Sequence, residues 1–300
     1  MDFQIISDSS CDLDMELREK YNIQVVPFYI SFDGEKYYKE REEIDIREVY
    51  KRMVDEPKNY PMTSLPSVQN YIDAFTPHVE AGRAIICMCL TTSLSGSYNS
   101  ACNAMEIICE EHPDAKITVI NSLGATVSQG VAIIEAARMQ QEGKTYEEVV
   151  AYLDGESKST SRIFFTVGNT DYLKHGGRIG KVAAVASSVL SLKPLITLKD
   201  GEISASSVAR SRKKSLVMTL DLVRNYFKET GDNPKDYLYA VGFGYDKDEA
   251  VEFKKQFEDM MNTEFGGAGE TLLFQIGATI CVHTGPYAIG LGLIKKHDCI

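Results

Sequence analysis

Short apolar runs at 3–7, 25–32, 84–90 and 117–120 alternate with helix-length segments through the first half of this 300-residue chain. Runs of this length suit strands buried on both faces. Strands separated by a dozen or more residues pair in parallel, because a parallel pair needs a long crossover connection. The alternation therefore predicts a parallel α/β sheet. Segments 97–111 and 125–141 supply covering helices, and in the second of them Val127, Val131 and Ile134 recur at helical spacing.

Gly143-Lys144-Thr145 reads as a helix stop followed by a capped start, with a further helix over 146–153. The polar, small residues 154–161 then read as a linker, which places a domain boundary near Thr160. The expectation is an N-terminal α/β domain over 1–160 and a C-terminal α/β domain over 161–300. The second half offers strands at 163–167, 194–198, 203–208 and 237–243, with helices at 181–192, 213–229 and 247–261. Apolar runs at 272–276, 278–282 and 287–294 have no long helical pattern between the last two, so they read as strands of a mixed sheet.

A formal charge of −11 repels phosphate backbones, and the only concentrated basic stretch, 210–214, reads as a solvated face at a helix start. Nucleic acid is not expected as a partner. The opening residues lack a basic segment followed by a long apolar one, and no window approaches eighteen apolar residues. A cytoplasmic protein without a transmembrane segment is expected, with at most transient contact with a membrane surface. The seven cysteines include no CxxC pair and read as reduced core residues, with the sulfurs of Cys87 and Cys89 on opposite sides of a sheet. The five histidines lack i, i+4 spacing, so no metal site is expected.

Four stretches carry chemistry. Thr63-Ser64-Leu65-Pro66-Ser67 places hydroxyls at a turn before a helix, where free N–H groups and the helix dipole favour an anion; simple capping by Ser67 is the plainer reading. Thr91-Thr92-Ser93-Leu94-Ser95-Gly96-Ser97 follows a strand and opens a helix, at the edge where parallel sheets bind ligands. Ser95 offers its hydroxyl there, and Gly96 allows close approach to the backbone. The stretch is neither a phosphate-cradling loop nor a nucleophile elbow. His283-Thr284-Gly285-Pro286 ends an apolar run read as a strand, so its imidazole is either structural or aimed into a cleft. Lys174-His175-Gly176-Gly177-Arg178 precedes the predicted helix at 181–192, whose apolar face of Val182, Val185, Ala186 and Val189 is either core or the wall of an apolar pocket.

These stretches, with the opening Asp8-Ser9-Ser10-Cys11-Asp12-Leu13 and residues 192–195, resemble the DegV family in order and in register over residues 8–286. Asn121-Ser122, Tyr287 and Thr91-Thr92 depart from its usual pattern. The resemblance implies two α/β domains enclosing a long-chain fatty acid, whose carboxylate is bonded by Thr63 and Ser95, with Ser64, Thr92 and Gly96 as further neighbours. It also implies no other cofactor and no autonomous enzyme activity. Some members of that family serve as the fatty-acid-binding subunit of a fatty acid kinase, a role in which Arg210 and His283 match positions near the phosphoryl group. The rival reading is a small-molecule phosphotransferase or phosphate-ester-binding enzyme, because an α/β sheet with hydroxyls at helix ends suits phosphorylated substrates equally well.

Overall fold

The computed structural model describes residues 2–182 and 192–299. Its first half carries β1 (Phe3–Asp8), β2 (Ile23–Val26), β3 (Tyr29–Ser31), β4 (Tyr38–Lys39), β5 (Met62–Ser64), β6 (Ala84–Cys89) and β7 (Ile117–Asn121). The alternation of apolar runs and helices yields the expected parallel sheet, in the order β2-β1-β6-β7. Every residue of β1 and β6 is buried, as in central strands covered on both faces. A small antiparallel sheet, β4-β3-β5, stands beside it and carries Thr63 opposite Ile30.

The second half carries β8 (Arg162–Thr166), β9 (Lys193–Lys199), β10 (Glu202–Ala209), β11 (Tyr237–Phe243), β12 (Thr271–Gln275) and β13 (Ile289–Lys295). They form one mixed sheet in the order β10-β9-β8-β13-β11-β12, antiparallel except between β11 and β12. The molecule is thus α/β, a parallel sheet in the N-terminal domain and a mixed sheet in the C-terminal one.

The Thr126–Gln141 helix lies between the two sheets and is buried along most of its length. Its close fit depends on glycine: a Cβ at Gly242 of β11 would lie 2.7 Å from Val127, and one at Gly292 of β13 only 2.6 Å from it. Val131, Ile133 and Ile134 of this helix are fully buried, each worth about 1.5–3 kcal/mol of apolar burial. The apolar core consequently runs without interruption from β1 through the helix to β8, β9 and β11.

Local signals explain most helix ends. Thr145 caps the Tyr146–Asp154 helix in a reciprocal box with Glu148, and Gly143 takes the left-handed conformation just before it. Ser67 caps Val68–Glu80, accepting from the Asn70 N–H at 3.2 Å, so the capping reading of that residue holds.

Three expectations are corrected. The run 278–282 is helical, as part of Ala278–Thr284, despite its β-branched residues. The carboxylates of Asp12 and Glu40 accept the N–H groups of Gly277 and Thr279 at 2.9 and 3.2 Å, so buried tertiary acceptors override local preference. The polar stretch 154–161 is not an extended linker. It contains the Glu156–Thr160 helix, and Thr160 Oγ1 accepts from the Lys295 N–H of β13 at 3.0 Å. Cys87 and Cys89, two apart on β6, face the same side with sulfurs 3.8 Å apart, as the two-residue period of a strand requires. The predicted helix at 181–192 falls largely outside the described residues; Gly180–Val182 is a single 3-10 turn with Val182 buried. Among the described residues no helix is long and apolar enough to cross a membrane.

Candidate ligand-binding site

A cavity, partly open to solvent, lies between the C-terminal edge of the parallel sheet and the inner face of the mixed sheet. Its walls are Phe28 and Leu94 on one side and Ile163, Phe165, Leu198 and Ile203 on the other. The register explains the second wall. Ile163 pairs with Leu198 and Leu198 with Ile203, while Phe165 pairs with Gly290, so these side chains share one face of the sheet. The polar groups of the cavity are gathered from a short strand, loops and helix ends: Thr63, Ser95, Arg178 and His283, with Thr126, Thr279 and Thr284.

Ser95 is buried in the turn between β6 and the Ser97–Glu111 helix. Its Oγ accepts the Ser97 N–H at 3.2 Å, which leaves the hydroxyl proton for another partner. The turn is tied down from behind. Asp8, at the end of β1, accepts from the Leu90 N–H at 2.9 Å and from Ser97 Oγ at 2.8 Å, and Tyr71 OH lies 2.6 Å from Ser97 Oγ. Thr91 Oγ1 donates to the Gly201 carbonyl at 3.1 Å, docking the tip between β9 and β10 onto the same turn.

Thr63 of β5 brings its Oγ1 within 3.0 Å of His283 Nε2. His283 stands in the last turn of the Ala278–Thr284 helix, correcting the strand-end placement, yet it does reach the cavity. Burial first, and then the nearby Arg178 charge, push its pKa down to about 4, so the imidazole is neutral at neutral pH. Its Nδ1 is buried without a hydrogen-bond partner among the described residues. A Cβ at Gly176 would stand 2.1 Å from that nitrogen, which explains the first glycine of the Gly176-Gly177-Arg178 stretch. Arg178 is fixed by its own donors, Nε to the Leu94 carbonyl at 3.2 Å and Nη1 to the Gly176 carbonyl at 2.6 Å.

Thr63, Ser95 and His283 are thus brought to one cavity, whereas the other sequence candidates are not. Ser64 is exposed in β5. Thr92 is exposed and accepts from Asn121 Nδ2 at 3.1 Å. Gly96 caps its helix at φ −82°, and a Cβ there would make only ordinary contact, at 3.4 Å from Leu65, so nothing local requires glycine. Arg210 is exposed just beyond β10 and does not line the cavity; the cation that does is Arg178. Sequence reasoning passed over Arg178, although the adjoining Gly-Gly pair marked its loop, and it missed Thr126 and Thr279, whose hydroxyls donate to buried Asp12 and Glu40.

An apolar cavity with hydroxyls, a neutral imidazole and a fixed guanidinium among its polar lining is complementary to an anion with an apolar body. Comparison with known proteins agrees with this geometry. The DegV family model matches residues 2–296, and the chain belongs to the DegV family. A DegV domain-containing protein of Clostridium acetobutylicum is 30% identical over 296 residues, covering 97% of this chain and 98% of the relative. The crystal structure of a stearic-acid-binding protein from Eubacterium ventriosum is 43% identical with a TM-score of 0.93, covering 99% of this chain and 100% of that one. A fatty-acid-binding DegV family protein from Thermus thermophilus is 28% identical with a TM-score of 0.86, covering 98% and 100%.

Proposed function

We propose that this protein binds one long-chain fatty acid in the cavity, its carboxylate bonded by the hydroxyls of Thr63 and Ser95 beside His283 and Arg178, and its acyl chain along the mixed sheet. The observation that carries the reading is the cavity itself, apolar over most of its lining with Thr63, Ser95, Arg178 and His283 among the polar exceptions. The stearic-acid-binding neighbour from Eubacterium ventriosum supports the ligand class. Neutral hydroxyl donors orient a carboxylate without neutralising it, which leaves the oxygen nucleophilic. That property fits a carrier subunit presenting the acid to a separate fatty acid kinase, and in this reading Arg178 and His283 stand nearest the group to be phosphorylated, with Arg210 outside.

The test is organic extraction of the purified protein followed by mass spectrometry. A stoichiometric C14–C18 acid is expected. An empty protein that turns over a phosphorylated metabolite would replace this reading with the phosphotransferase one. The carrier role is tested separately, with labelled ATP and the candidate kinase from the same genome: label should enter the lipid only when both proteins are present.

A further inference from the structure

The opening Asp8-Ser9-Ser10 segment has no part in the proposed contacts with the ligand, yet Asp8 holds an unusual position. It is fully buried, and among the described residues no basic side chain pairs with it. Burial raises its pKa, and the bonds from Ser10, Leu90, Ser97 and Gln129 oppose that rise. A buried carboxylate without a cation is costly unless hydrogen bonds satisfy it. Here Oδ1 receives Ser10 Oγ and Gln129 Nε2, the latter at 3.0 Å, while Oδ2 receives the Leu90 N–H and Ser97 Oγ. The second pair belongs to the two ends of the turn that carries Ser95.

We infer that Asp8 is the positioning residue for Ser95, acting through Ser97 to keep the Ser95 hydroxyl a donor toward the ligand. Ser97 gives its hydroxyl proton to Asp8, which turns Tyr71 OH into a donor to Ser97 Oγ and fixes the first residue of the helix. The Ser97 N–H then points at Ser95 Oγ and occupies one of its two lone pairs, which orients the hydroxyl with its proton left for the carboxylate. Among the described residues Thr63 has no such carboxylate behind it: its strand is three residues long, flanked by exposed Met62 and Ser64, and its hydroxyl meets His283 directly. The inference rests on the assignment of Ser95 to the fatty-acid carboxylate.

The test is a double-mutant cycle read as stearate affinity, by displacement of 11-(dansylamino)undecanoic acid from the full-length protein. Asp8→Asn keeps the shape but places an amide NH₂ against donors on one side. It should weaken stearate binding about tenfold in the parent and about tenfold again on Thr63→Ala, but less than twofold on Ser95→Ala. A merely structural role for Asp8 would weaken binding equally on all three backgrounds, and that result overturns the inference. If Asp8→Asn does not fold, Ser97→Ala carries the same comparison, because it removes the link to Asp8 and retains the Ser97 N–H; about threefold on the parent and no loss on Ser95→Ala is expected. An unchanged affinity in Ser95→Ala itself overturns the head-group assignment instead, so the two failures are distinguishable.

Discussion

The cavity has two regions made by different means. Its apolar wall comes from consecutive strands of one sheet, where register alone aligns Ile163, Leu198 and Ile203. Its polar groups come from separated pieces of chain, a three-residue strand, a β–α turn, a loop and the end of a helix, brought together by buried and half-buried hydrogen bonds. The two differ in energy as well. About fourteen methylenes at ~0.8 kcal/mol each give an upper bound of roughly 11 kcal/mol before the costs of association, whereas one bond to a charged group contributes ~1.5–3 kcal/mol. In the proposed reading the wall therefore sets most of the affinity, and the polar groups set which end of the acid lies where.

The largest expected effect follows from breaking the wall. Ile203→Glu puts a carboxylate on a half-buried position of β10 that lines the cavity. The acyl chain would then bury that charge, at a cost of several kcal/mol. Stearate affinity should fall on the order of a thousandfold while thermal unfolding stays cooperative. A loss of tenfold or less would mean that the chain does not run along β9 and β10.

The second effect concerns stability, and its sign follows from His283. Its folded pKa of about 4 lies below the ordinary imidazole value of 6.5, so on acidification the unfolded chain takes up the proton first. The penalty begins below pH 6.5, grows until about pH 4 and then levels off, reaching on the order of 3 kcal/mol. Asp12, raised to about 7 chiefly by burial, acts in the opposite sense, since its folded form gains a proton before the unfolded form does. Comparing the parent with His283→Gln cancels the Asp12 contribution. Denaturant unfolding between pH 7 and pH 4 should show the parent losing stability relative to the variant as pH falls; parallel curves would mean that the imidazole is not buried as described.

The contrast between wall and polar groups also separates what the sequence disclosed from what it concealed. Turn chemistry is local, so Thr63, Ser95 and His283 stood out as hydroxyls or an imidazole at turns and element ends, and the parallel sheet followed from its alternation. The wall was hidden, because Ile163, Phe165 and Leu198 in strands look like any core residues until a cavity is seen beside them. The Ala278–Thr284 helix was misread because its N-terminal donors are held by Asp12 and Glu40, more than 230 residues earlier in the chain. Arg178 was passed over because its Gly-Gly-Arg stretch marks a basic residue but not the direction of its loop, whereas Arg210 came from the family resemblance alone.

A third effect sharpens the polar side. In the proposed reading Ser95→Ala and Thr63→Val each remove one bond to the carboxylate, so each should weaken stearate binding tenfold to a hundredfold. Ser95→Ala should also leave the Ser97 N–H without its acceptor. The double variant should still retain some acid, because the wall is intact. Complete loss of ligand in the double variant, with the fold preserved, would reverse the ranking of the two regions.

The smallest effect is expected at the candidates that the fold leaves outside. Ser64→Ala, Thr92→Ala and Arg210→Ala alter exposed groups, and surface changes of this kind usually stay within half a kcal/mol. Thr92 has the best claim among them to an indirect role, since its Oγ1 accepts from Asn121 Nδ2 and Asn121 Oδ1 in turn accepts the Leu123 N–H at 3.2 Å. That link steadies the loop after β7 but does not reach the cavity lining. All three variants should bind stearate within about twofold of the parent, whereas Arg178→Gln should not, because its guanidinium lines the cavity and bridges the Leu94 and Gly176 carbonyls. If Arg210→Ala weakened binding more than Arg178→Gln, the cation beside the head group would have to be reassigned and the loop at 176–178 would be a support for His283 alone.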